Sequence, residues 1–195
     1  MSSAPTKWIG DAEKKPAPEP LRRVQSLINT VDRESGLDRL AAAGDAAPWM
    51  TANGLLASGD TPTEDDLLLL IGVREALRAL VIQNTTGQDP DPAMVSPLHQ
   101  IAESQRARAV VAEDGSVQLV PVGDSLRAHL LALLLVVFDS QRDGTWVHLL
   151  ACANDDCQWA FYDRSRNHGG TWCDMATCGN KLKNRDFRAR RRSDR

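Results

Sequence analysis

Apolar residues recur at helical spacing along most of the chain, and short β-prone runs interrupt that pattern in two places. Leu21, Val24, Leu27, Ile28 and Val31 share one face of a predicted helix over 21–32. Asn29 and Thr30 fall at its polar end and read as helix-end hydrogen-bonding groups rather than as the edge of a pocket. Gly36 interrupts, and two short helices are expected around 37–43 and 47–56, separated by Gly44, Asp45 and Pro48. The strongest helix signal starts at Thr61, with Pro62 at the first helical position and Glu64 three residues on, and runs to about Asn84. Leu69, Leu70, Val73, Leu77, Leu80 and Val81 form its buried face, and Arg74 and Arg78 lie one turn apart at the edge. Their stems are expected to cover the rim of the core rather than to line an anion pocket. After the turn formers of 89–97 comes a short helix through Leu98 and Ile101. Residues 109–112 and 117–120 then flank an Asp114-Gly115 pair and predict a β-hairpin. Asp124 or Ser125 caps a last helix from Leu126 to about Ser140, apolar enough over 130–138 to be the buried central helix, and Gly144 marks a domain boundary.

Charge divides the chain at the same place. Residues 1–150 carry 13 Lys and Arg against 20 Asp and Glu, or −7, whereas residues 151–195 carry 10 against 6, or +4. Eight of those basic residues fall in the final fifteen, Lys181 to Arg195. A basic end on an acidic body calls for a polyanion partner at that end. Residues 1–20 contain Pro5, Pro16, Pro18 and Pro20 and no apolar signal core, and read as a disordered leader. The longest apolar run, Leu130 to Phe138, is far shorter than the roughly 20 residues a bilayer requires. No membrane partner and a cytoplasmic location are therefore expected, where clustered cysteines serve as metal ligands more often than as disulfides.

All four cysteines lie in the last 44 residues, as two C-x4-C pairs fifteen residues apart: Cys152 and Cys157, then Cys173 and Cys178. Two close pairs joined by a loop of that length suit one four-thiolate tetrahedral Zn2+ site. With no open coordination position, His148 and His168 are expected to be surface or loop residues. Trp159, Phe161 and Tyr162 predict a strand, the polar turn 164–170 a reversal, and Lys181 to Arg192 a helix anchored by Leu182 and Phe187. The expected architecture is mainly α with a β-hairpin over 21–143, followed by a small treble-clef-like zinc finger with a basic C-terminal helix over 144–195.

The stretches Cys152-Ala153-Asn154-Asp155-Asp156-Cys157, Phe161-Tyr162-Asp163-Arg164-Ser165-Arg166-Asn167 and Trp172-Cys173-Asp174-Met175-Ala176-Thr177-Cys178-Gly179-Asn180-Lys181 resemble the CGNR zinc-finger family of bacterial proteins. Members pair this finger with a helical N-terminal domain, ABATE, which Leu27-Ile28-Asn29-Thr30 and the helices after it also resemble. The resemblance implies stress-induced transcription regulation and DNA as partner. Where the family motif ends in arginine this chain has Lys181, which keeps the charge but loses a bidentate fork.

The expected function is a zinc-dependent DNA-binding regulator, not an enzyme: the chain has no phosphate-binding glycine loop and no nucleophile elbow. Arg164, Arg166, Lys181, Lys183, Arg185, Arg188, Arg190, Arg191 and Arg192 are the expected DNA contacts. The N-terminal domain is expected to sense a small-molecule or protein effector or to form a homodimer. The alternative is a protein-docking or RNA-binding finger in which Trp159, Phe161 and Trp172 stack on bases, although the same aromatics also serve as the core of a small metal-dependent module.

Overall fold

The computed structural model describes residues 8–181. Its axis is a 23-residue helix, Glu64–Thr86. Thr63, not Thr61, is the cap. Its hydroxyl accepts from the backbone of Asp66, whose carboxylate returns to the Thr63 N–H, so the acidic residue three places on that closes the capping box is Asp66. Gly87 ends the helix in the left-handed region at φ 71°. Replacing Thr63 by Ala is expected to cost about 1 kcal/mol, read as a lowered midpoint in urea unfolding with an unchanged slope.

Numbered in chain order, this long helix is α3. The others are α1 (Arg22–Ile28), α2 (Ala43–Ala52), α4 (Pro92–Ser104) and α5 (Leu126–Asp143). Three antiparallel strand pairs complete the described part: β1 (Val31–Asp32) with β2 (Leu37–Asp38), β3 (Ala107–Val111) with β4 (Val117–Pro121), and β5 (Leu149–Ala151) with β6 (Ala160–Tyr162). The first helix is shorter than expected, because β-branched Val31 and the Asp32 turn leave it for a two-residue ladder closed at Gly36, φ 75°. That ladder also occupies the start of the segment expected as a helix over 37–43. Helix α2 begins before Pro48 and runs through it. Asp91 and Pro92, expected as turn residues, are the cap and first position of α4, a full 13-residue helix.

Helix α3 packs against α1, α4 and β5 and holds the centre of the core. Arg74 and Arg78 correct their expectation, because their guanidinium groups are buried along with their stems. Helix α5, expected at the centre, buries one face only and leaves Phe138 43% exposed beneath Arg142. The hairpin β3–β4 forms as expected around Asp114-Gly115.

Two further differences bear on function. Leu149, Ala151, Ala160 and Tyr162 belong to the same apolar cluster as Val24, Leu27, Leu70 and Leu133, so the core continues past Gly144, which caps α5. Residues 8–20, expected within a disordered leader, lie against the body with Ala17 buried. They are held there through main-chain groups: Tyr162 N donates to Lys15 O at 2.9 Å, and the Gln25 carboxamide bridges Ala17 N, Lys15 O and Ala160 O. Among the described residues no helix is long and apolar enough to cross a membrane.

Candidate metal centre

Strand β5 delivers Cys152 into a tight knuckle. The Asn154 carbonyl accepts from Cys157 N at 2.8 Å and Gln158 N at 2.9 Å, and Gln158 adopts φ 48° to turn the chain back into β6. The second pair comes from the opposite side. Asp174 accepts from Ala176 N and caps a single π-helical turn, Met175–Gly179, which places Cys178 beside Cys173. Gly179 packs closely there: a Cβ would lie 2.5 Å from the sulfur of the exposed Met175 side chain and 3.1 Å from the Trp172 ring, so a larger residue would displace Met175.

The four Sγ atoms lie within 4.8 Å of one another. Cys157 to Cys173 and Cys173 to Cys178 both measure 3.8 Å. A tetrahedron with Zn–S bonds of about 2.3 Å has edges of about 3.8 Å, whereas a disulfide requires about 2.05 Å. No disulfide joins the cysteines, which stand at the spacing of a metal cage. Their electrostatics agree. Hydrogen bonds from Cys157 and Cys173 pull the Cys152 thiol down to about 2, and the same contact with Cys152, with burial, pushes Cys157 up to about 12. Contacts with Cys152 and Cys157 raise Cys173 as well. Without a cation, the crowded sulfurs hold a thiolate only beside thiols, and a divalent ion relieves that conflict.

Long-range partners that the sequence did not reveal tie this cluster to the helices. Asn29 Oδ1 accepts from Ala160 N at 2.8 Å, and its amide donates to Ala160 O and Glu13. The Asn29 side chain therefore clamps β6 to α1, while its main-chain N–H closes α1 on Gln25 O as expected of a helix-end residue. Thr30 makes the expected local bond, to Leu27 O. Trp159 donates its indole N–H to Glu13 at 2.8 Å, Phe161 is fully buried, and Asn154 directs its amide at Cys178 Sγ. His148 stacks on His168 with ring centroids 4.0 Å apart.

Of the expected DNA contacts, Arg164 and Arg166 line one open groove. Lys181 is elsewhere, ion-paired with Glu34 beside Cys157 and Cys178. Lys183, Arg185, Arg188, Arg190, Arg191 and Arg192, with Leu182 and Phe187, lie outside the described residues.

Two family models match the chain. Residues 148–191 match the CGNR zinc finger, and residues 21–148 match ABATE, described as "Putative stress-induced transcription regulator". No curated protein matches the chain. With the greater part of its length covered by that match, the chain belongs to the ABATE family and carries a CGNR zinc finger.

Proposed function

We propose that this chain is a zinc-dependent DNA-binding transcription regulator of the bacterial cytoplasm. The observation that carries the reading is the four-sulfur cluster, of tetrahedral dimensions, set directly before the most basic stretch of the chain. Cys152, Cys157, Cys173 and Cys178 hold one Zn2+, a redox-inert ion that supplies structural cross-linking. Arg164, Arg166 and Lys181 meet the duplex, joined by Lys183, Arg185, Arg188, Arg190, Arg191 and Arg192. The arginines in that set offer bidentate contacts to phosphate or guanine, while Lys181 makes a point-charge contact. The proposed role is binding, not catalysis.

The division of the chain into a helical regulatory part over 21–143 and a finger over 144–195 belongs to this reading, with the first part sensing an effector or pairing with a second copy. A cleft of about 380 Å³ between the Trp8, Arg22, Arg39 and Trp49 side chains has room for a small molecule. Of the three aromatic residues that a base-stacking RNA reading needs, Phe161 lies in the core, Trp159 donates to Glu13, and Trp172 is partly buried against the cysteine cluster. Direct competition between duplex DNA and single-stranded RNA for the full chain tests this preference. Retention of the duplex is expected, and displacement by RNA would transfer the finger to RNA recognition.

A further inference from the structure

An open groove of about 740 Å³ beside the finger is lined by four cations, Lys14, Lys15, Arg164 and Arg166, and one carboxylate, Asp163. We propose that this groove is a track for nucleic-acid backbone phosphates, and that Lys14 and Lys15 are phosphate contacts alongside Arg164 and Arg166. The inference rests on the DNA-binding reading and extends it to a segment that precedes both matched families, which begin at residues 21 and 148.

The single carboxylate does not neutralise the groove. Asp163 accepts from Ser165 N at 2.9 Å and Gly170 N at 2.7 Å. Burial opposes its ionisation, yet those N–H groups hold its carboxyl below the usual range, so its charge serves to close the loop 163–170. A Cβ on Gly170 would fall 2.7 Å from that carboxylate, so the loop is shaped around it.

Two of the cations, Lys15 and Arg164, are held in place. The main chain of Lys15 is fixed on β6 through Tyr162, and its ammonium sits 4.6 Å from the Phe161 ring centroid and donates to Trp172 O. Arg164 donates to Pro16 O at 3.0 Å and lies over the Tyr162 ring, which fastens the finger loop to the same N-terminal segment. Arg166 is exposed, with no ion-pair partner among the described residues. Lys14 has a side chain 71% exposed, and its partner Asp174 forms a surface pair that salt screens and a phosphate can replace. With Asp163 and Asp174 both ionised, the four cations still leave the groove net positive, which suits an anionic ligand with repeated charges such as a nucleic-acid backbone.

The test is duplex DNA affinity of the full-length, zinc-loaded chain over a salt series, by fluorescence anisotropy. Lys14→Ala and Arg166→Ala are each expected to lower the slope of log K against log salt by about 0.9, the value of one phosphate contact, with the same loss on unrelated duplexes. Arg127→Ala, on the exposed side of α5, is expected to leave the slope unchanged. Lys14→Arg keeps the charge and is expected to leave the slope unchanged. An unchanged slope for Lys14→Ala while the unmodified chain binds would overturn the inference and leave the DNA reading standing. An equal loss of slope in Lys14→Arg and Lys14→Ala would also overturn it, because the lysine would then act through its packing and not through its charge. No binding by the unmodified chain would overturn the DNA reading and this inference together.

Discussion

Removing the metal, with a chelator or through Cys157→Ser, is expected to unfold the helical part of the chain together with the finger. Cys152 directly follows β5, and the β5–β6 ladder contributes Leu149, Ala151, Ala160 and Tyr162 to the cluster that also contains Val24 and Leu27 of α1 and Leu70 and Val73 of α3. Asn29 and Gln25 bond β6 to α1, and Lys15 bonds it to the N-terminal segment. A structural zinc contributes about 10–16 kcal/mol in finger peptides, while a whole domain is stable by about 5–15 kcal/mol. A loss of that size within a shared core spreads through it. Calorimetry of zinc-loaded and chelated protein is expected to show one transition that falls by more than about 20 °C or disappears, at roughly 2–4 °C per kcal/mol for a chain of this size. A helical transition that stays in place while only the finger signal is lost would show that the two parts are energetically separate.

The second large effect is expected at Arg78, which lies in the middle of α3 with 3% of its side chain exposed. It donates to Glu75 at 2.9 Å, to Ile28 O at 2.7 Å and to Gln158 O at 2.9 Å, joining α3, the end of α1 and the turn that follows Cys157. Neighbouring Arg74 donates to Glu75 and, twice, to Asp38. Arg78→Met keeps the stem but leaves one buried carbonyl, Ile28 O, and one half-buried carbonyl, Gln158 O, without this donor and a half-buried carboxylate with one cation fewer. The expected cost is about 3–5 kcal/mol in urea unfolding, together with faster metal loss to a chelator because the Gln158 turn is released. Burial pushes the Glu75 carboxyl up, but Arg78 and Arg74 together pull it below its usual range. A depressed carboxyl contributes stability that is present above its unfolded pKa, near 4.3, and is lost as pH falls through the lower folded value. In Arg78→Met the Glu75 value rises, so acid destabilisation sets in at higher pH than in the unmodified protein. Both proteins release metal as their thiolates protonate, so the test is the difference between their pH profiles. Coincident profiles would mean that Arg78 does not hold Glu75 ionised.

What was legible in the sequence was local chemistry. The C-x4-C pairs announced the sulfur cluster because each clasp lies within six residues, and Asp114-Gly115 located its hairpin because that turn needs only its own two residues. Asp91-Pro92 misled because the same dipeptide suits a turn and a helix start, and only packing against α3 decides between them. Arg74 and Arg78 were expected at a rim because their acceptors at Asp38 and Gln158 lie 36 and 80 residues away along the chain. The segment 8–20 has the prolines and charges of a disordered leader, yet main-chain groups of Lys15, Pro16 and Ala17 hold it, and composition carries no trace of them. That attachment changes how the finger should be assayed. A fragment beginning near residue 143 would lack α1, α3 and the lysines of the groove, so the full chain is the proper material.

The most direct test of the central claim is duplex DNA affinity of the full chain, measured with zinc-loaded and chelated protein side by side from low to high salt. A zinc-dependent regulator binds only when loaded, and its affinity falls with salt at a slope that reflects several phosphates, about 0.9 for each. Equal binding with and without zinc, or none in either form, would contradict the account.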